Sequence, residues 1–206
     1  KVKAIGIASA AEAGVLLDKN GESVGPILAW YDERPNEYMD LVKQKIPSLE
    51  FYRRTGLYPK AKYSLMKFLW MKDHTPDQWR KGCCWLHLAE YIAYRLTGVK
   101  RNEISLASRT MLFNINTKEW DQELIQEFNI NGNLFQPPIQ SGQVVGTILK
   151  EISEGLKLAD GIPVTIAGHD HIVGSFGIGS IHDGDVTNSC GTAETLVATI
   201  PNLDMD

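Results

Sequence analysis

The sequence predicts an α/β domain, a mixed sheet with helical layers, and three observations carry that expectation. Strand-length apolar runs open the chain at Val2–Ala8, Gly14–Asp18 and Pro26–Trp30. A long middle block then places apolar residues at three-and-four spacing, the mark of amphipathic helices. Two β-branched runs follow, Pro163–Gly168 and Val186–Ser189, each stopping abruptly at Gly plus polar residues, as buried strands do. Strands, then a helical block, then strands again, fit one α/β domain with an inserted helical layer.

In chain order, Asn20-Gly21 is a strong hairpin signal, because both turn residues tolerate positive φ. With the three early runs it predicts an antiparallel meander. From Pro35, the residues Met39, Leu41, Val42 and Ile46 share a helical face that Pro47 closes. Arg54–Pro59 reads as a loop. Leu65, Phe68, Leu69 and Met71 predict a short helix, and Trp85, Leu88, Ala89, Ile92, Ala93 and Leu96 a longer one with Gly98 as its left-handed cap. Leu124, Ile125 and Phe128 predict another helix, Val144–Ile148 an extended segment, and Glu151–Leu158 a last helix before the Pro163 strand.

Composition narrows the function. The 206 residues are 43% hydrophobic, enough for a sizeable core, and carry a net charge of −4 without basic runs, which gives no support to nucleic-acid binding. Three cysteines, two of them adjacent, form neither a disulfide framework nor a paired zinc set, so a reduced cytoplasmic setting is expected. No apolar run reaches membrane length, so no membrane partner is expected. The chain opens with Lys1 and runs straight into a strand pattern, which reads as a piece of a longer protein.

Candidate sites cluster where strands end, because ligands in open α/β sheets bind outside the carboxyl ends of strands. Asp170 is the candidate general base, and its competing role is helix N-cap. His169, His171 and His182 with Asp170 could also ligate zinc or iron and make a metal-dependent hydrolase. Strand alternation, however, would put His169 and His171 on one side and Asp170 on the other, so no metal site is assigned. Gly191-Thr192 could cradle phosphates, or could be a plain turn between strands. Glu12, among small residues, and Trp30 beside Asp32 suit the hydroxyls and faces of a sugar or polyol. Gly174, Gly177 and Gly179 lack the dinucleotide spacing and read as helix–sheet packing positions, and no phosphate-binding Gly-Lys-Ser/Thr loop occurs.

Together these stretches resemble the FGGY carbohydrate kinases, the family of glycerol, xylulose, fuculose and rhamnulose kinases. The resemblance runs through Ile5–Asp18, Ala29–Arg34, Arg54–Leu57, Tyr94–Gly98, Ala107–Ile115, Pro163–Asp170 and Gly191-Thr192 in that order. It implies a ribonuclease-H-like (actin-like ATPase) fold truncated at both ends. Residues 1–206 would form the N-terminal, sugar-binding domain, without its first phosphate-loop strands and without a C-terminal nucleotide domain. It also implies ATP and Mg²⁺ as cofactors, a sugar or polyol as partner, and a homodimer. Asp170 would be the base, Glu12, Trp30 and His171 would bind the acceptor, and Gly191 and Thr192 would contact nucleotide phosphates. Ala10-Ala11 and His171 depart from the xylulose kinase pattern and speak against D-xylulose. A piece of this kind is expected to be inactive alone, because half the nucleotide site would be missing. A sugar-binding module without chemistry is the remaining alternative.

Overall fold

The computed structural model describes residues 1–191 and 194–202. The chain enters on β1 (Ile5–Ser9) and β2 (Gly14–Leu17). A helical block follows: α1 (Met39–Lys45), α2 (Ser48–Thr55), α3 (Ser64–His74) and α4 (Pro76–Lys81). β3 (Cys84–His87) leads directly into α5 (Leu88–Thr97). Short elements come next, β4 (Asn102–Glu103), α6 (Ile104–Ala107), β5 (Phe113–Asn114), β6 (Glu119–Trp120), α7 (Gln122–Glu127) and β7 (Pro138–Ile139). The last part holds β8 (Val144–Thr147), α8 (Lys150–Gly155), β9 (Pro163–His169), α9 (Asp170–Gly177), β10 (Val186–Cys190) and β11 (Glu194–Ala198).

The central sheet is mixed, in the order β1-β9-β8, with β1 parallel and β8 antiparallel to β9. The expected N-terminal meander does not form. β1 pairs with a strand about 160 residues away, β2 pairs with β3, and the Pro26–Trp30 run makes only a single bridge, Gly14 to Leu28. The Asn20-Gly21 turn does form, with Gly21 at φ +81° and its N–H bonded to the Asp18 carbonyl. Local turn chemistry was therefore read correctly, and the distant pairing overrode the expected register. Trp85 belongs to β3 rather than to the following helix; its ring is fully buried and packs on Gly14 and on Phe68. Arg54 and Thr55 close α2 instead of forming a loop, with Gly56 as the left-handed cap. Gly98 caps α5 as expected.

Two packing centres hold the layers together. One surrounds α3, with Phe51, Leu65, Phe68, Trp85 and Met111 among its fully buried members. The other lies under the central sheet, where Val164 and Ile166 of β9 meet Ala89 and Ala93 of α5 and Leu106 of α6. The Ala pair lets α5 approach the sheet closely.

The end of β9 is set by buried polar groups. Glu90, fully buried, accepts from the His87 and Glu103 backbone N–H groups and from Asn102 Nδ2. The Glu103 side chain accepts from the N–H groups of Ser105 and Leu106 and from the hydroxyls of Ser105 and Ser141. Ser105 Oγ in turn accepts the His169 N–H at 2.9 Å. Here β9 slips register against β1 and Gly168 takes φ +117°. A Cβ on Gly168 would lie 2.5 Å from Ser105 Oγ and 3.2 Å from Glu103 Oε2, so both backbone angle and space require glycine. By contrast, a Cβ at Gly174, Gly177 or Gly179 would meet nothing within 4 Å among the described residues, so the packing role expected for those glycines is not found there.

Gly168→Ala should lower unfolding free energy by on the order of 2–3 kcal/mol, from positive-φ strain and the clash with Ser105. Urea denaturation measures it, and a midpoint equal to that of the wild type would contradict the account.

Candidate functional site

The carboxyl ends of β1 and β9 and the loop after Leu28 face the β10–β11 hairpin across a cavity of about 530 Å³. Glu12, Trp30, Asp170, His171 and Gly191, all singled out from sequence, line this one cavity. Lys62, Arg109 and His169 join them. Thr192 lies outside the described residues. Gly191 sits in the turn joining two antiparallel strands, as the plainer reading of that position anticipated.

Glu12 is 5% exposed, and its neighbours keep it charged. Arg109 donates to Glu12 Oε1 from Nε at 3.1 Å and from Nη2 at 2.7 Å, and Lys62 Nζ stands 3.3 Å from the same oxygen. Burial by itself would raise this carboxyl. The charge and hydrogen bonds of Arg109, with Lys62 and His169 behind them, outweigh it and hold the pKa down at about 2. The Arg109 guanidinium stacks 4.9 Å from the centroid of the buried Tyr63 ring, which orients the fork.

The floor of the site is tied by one buried cation. Lys67 of α3 donates to the carbonyls of Glu12, Leu28 and Ala29, and so joins the Glu12 loop to the segment that carries Trp30. Burial pushes its pKa down to about 8, while Glu12 and Asp32 pull the other way. Asp32, considered with Trp30 as a sugar contact, is turned away; its carboxylate is held by Arg34 Nε and Nη2.

Asp170 is the first residue of α9, and its carboxylate is about half exposed. Oδ1 accepts from the His171 N–H at 2.8 Å, and Oδ2 makes no hydrogen bond among the described residues. His169, not Asp170, occupies the N-cap position. Oδ1 thus takes one N–H of the first turn of α9, and Oδ2 is left for other partners. A second cavity of about 330 Å³, lined by Ser175, Thr187 and Asn188, shares Asp170, His171 and Ser189 with the first. His169 is buried beside Glu12 and held below the usual imidazole range, chiefly by burial. The expected strand alternation fails at this point: the chain turns from β9 into α9 after His169, so His169, Asp170 and His171 gather their ligand atoms within 4.8 Å. His182 is not part of that group.

Sequence reasoning did not assign Arg109, Lys62 or His169 to acceptor binding. Arg109 is 97 positions from its partner. The available signal was a lone basic residue in the small, otherwise uncharged turn Ala107-Ser108-Arg109-Thr110, with a lone acid at Glu12 in a similar turn.

A mixed sheet with a polar cleft at the carboxyl ends of β1 and β9 makes this an α/β domain with a candidate ligand site. Residues 1–177 match the family model described as "FGGY family of carbohydrate kinases, N-terminal domain", and the chain belongs to that family. It is 28% identical over 203 residues to L-fuculokinase of Escherichia coli (strain K12), covering 98% of this chain and 43% of that protein. Among solved structures it superimposes on xylulose kinase from Rhodospirillum rubrum with a TM-score of 0.91 at 23% identity, covering 98% of this chain and 42% of that one. Plasmodium falciparum glycerol kinase with ADP gives a TM-score of 0.86 at 24% identity, covering 95% and 40%. The chain thus spans about two fifths of the length of these proteins. Among the described residues no helix is long and apolar enough to cross a membrane.

The depressed Glu12 pKa carries a pH signature. An unfolded glutamate titrates near 4.5 and the folded one near 2, so the unfolded state binds more protons between those values. The pairing stabilises fully above pH about 4.5 and is lost as pH falls through about 2, with a magnitude of about 3 kcal/mol. In Glu12→Gln the rise in stability between pH 2 and 4.5 should be shallower, read by urea midpoints at a series of pH values. A parallel profile in wild type and variant would refute the role given to the pair.

Proposed function

We propose that this chain forms the acceptor-binding part of an ATP-dependent kinase that phosphorylates a hydroxyl of a sugar or polyol, with Asp170 as general base. The observation that carries the reading is the position of Asp170, half-exposed between two cavities that share it. Proton abstraction requires a carboxylate within hydrogen-bond reach of the acceptor hydroxyl, and the larger cavity provides that reach.

The acceptor occupies the larger cavity, where the Trp30 ring offers an apolar face and the Glu12 carboxylate accepts from hydroxyls. Arg109 and Lys62, already turned to Glu12, donate to acceptor oxygens, and His171 orients the acceptor beside the base. Asp170 takes the proton as the acceptor oxygen forms its bond to phosphorus and the bond to the departing diphosphate breaks. Two carboxylates with separate tasks follow from their surroundings. Glu12 stays charged with Oε1 held by Arg109 and Lys62, which leaves Oε2 for an acceptor hydroxyl, and Asp170 keeps Oδ2 for the proton.

The smaller cavity fits the phosphate end of a nucleotide. Ser175, Thr187, Asn188 and Ser189 line it, the Ser175 and Thr187 hydroxyls bonded to each other and the Asn188 amide to Glu194, and Gly191 borders the adjoining larger cavity, where it leaves the backbone open to close approach. Mg²⁺-ATP supplies the phosphoryl group and the metal charge that phosphoryl transfer relies on. Asp170, the carboxylate bordering that cavity, would help to hold the Mg²⁺, whose charge would offset that of the phosphates. Thr192 is assigned with Gly191 to the phosphates on the family resemblance.

In the full-length protein, screened with Mg²⁺-ATP against a panel of sugars and polyols, at least one acceptor should be phosphorylated. Asp170→Asn should then lose about 10²–10⁴-fold in turnover while still binding that acceptor, measured by kinetics and calorimetry. Acceptor binding without phosphorylation by the wild-type protein would instead identify a sugar-binding module.

A further inference from the structure

The turn from β9 into α9 brings three donors together that the phosphotransfer chemistry does not need as a set. His169 Nε2 and Asp170 Oδ1 are 3.4 Å apart, and one nitrogen of His171 completes a group whose ligand atoms all lie within 4.8 Å of one another. A tetrahedral metal with bonds of about 2.0–2.1 Å places its ligands roughly 3.3–3.5 Å from each other. The first pair already stands at that separation. The two imidazole rings meet edge to face with centroids 5.3 Å apart, so neither ring stacks over the other's nitrogens. Two imidazoles and one carboxylate are the donor set of three-ligand zinc sites, and nitrogen donors select Zn²⁺, Co²⁺, Ni²⁺ or Cu²⁺ over Mg²⁺. The group opens onto the cavity, which leaves a fourth position for water.

We propose that His169, Asp170 and His171 form a binding site for a divalent transition metal of the zinc class, and that its occupation inhibits the protein. The metal draws on the same Asp170 lone pairs that the hydroxyl proton would use, so metal and acceptor compete. The inhibitory part rests on the kinase reading above; the binding part does not.

The test uses the full-length protein in two arms. In the first, Co²⁺ is added without nucleotide or sugar. One equivalent should produce visible d–d absorption of a low-coordinate site, and Zn²⁺ should displace it. His171→Asn and His169→Asn should each weaken Co²⁺ binding at least tenfold, and His182→Asn, which lies outside the group, should leave it unchanged. Circular dichroism checks the fold of each variant, and the wild-type cobalt spectrum alone decides the matter if a variant does not fold. Absence of one-equivalent cobalt absorption, or equal affinity in the His171 and His169 variants, overturns the site. In the second arm, with Mg²⁺-ATP in excess, one equivalent of Zn²⁺ should cut turnover at least tenfold, and both chelator and high acceptor concentration should relieve it. Inhibition that acceptor does not relieve overturns the competitive part. A protein that phosphorylates none of the acceptors fails the kinase reading while the cobalt arm still decides the site.

Discussion

The hydrogen bond from the His169 N–H to Ser105 Oγ is the constraint on which the cleft depends. Ser105 is itself fixed because its hydroxyl donates to Glu103, and Glu103 is fixed by the N-terminus of α6 and by Ser141. Glu90 anchors the Glu103 backbone from the other side. This buried chain of polar groups stops β9 at one residue, and only a glycine at 168 lets the strand pass close enough to reach it. Every member named here has a partner, which is the condition under which a buried polar network gives rigidity instead of a desolvation penalty. The position of Asp170 follows from that stop.

A second set of charges shapes the opposite wall. The Glu12 loop and the segment before Trp30 have no strand pairing of their own beyond a single bridge, and three carbonyl bonds from Lys67 replace it. Burying a lysine is costly, and its lowered pKa records that cost. The return is that two irregular segments keep one geometry without a sheet to hold them. Arg109 acts similarly on the Glu12 side chain, and its stacking on Tyr63 limits the directions in which the guanidinium can point. Rigid positioning of this kind is what phosphoryl transfer chiefly asks of a protein.

Much of the site was legible before the fold was known. Asp170 was marked by an apolar run that stops at Gly plus polar residues, Glu12 by an acid among small neighbours, and Trp30 by an aromatic face near the Asp32 carboxylate. All three line one cavity. Other readings failed for a common reason. The first three apolar runs were read as one meander because nearby strands usually pair, yet β1 and β2 found partners about 160 and 70 residues away. Trp85 falls at three-and-four spacing with Leu88 and Ala89 and so reads as helix, yet it pairs with Leu16 in β3 and packs on Gly14.

The sequence by itself determined the α/β class, the turn at Gly21 and the cap at Gly98, and the carboxylates at strand ends. These depend on backbone chemistry within a few residues, which the chain carries locally. Only the tertiary structure decided which strands pair, that Arg109 and Lys62 neutralise Glu12, and that His169, Asp170 and His171 converge instead of alternating. The first two are set by residues far apart in the chain that become neighbours only when the core closes, and the third by where β9 stops, which the His169 N–H bond to the distant Ser105 decides. No local pattern encodes the distance between them.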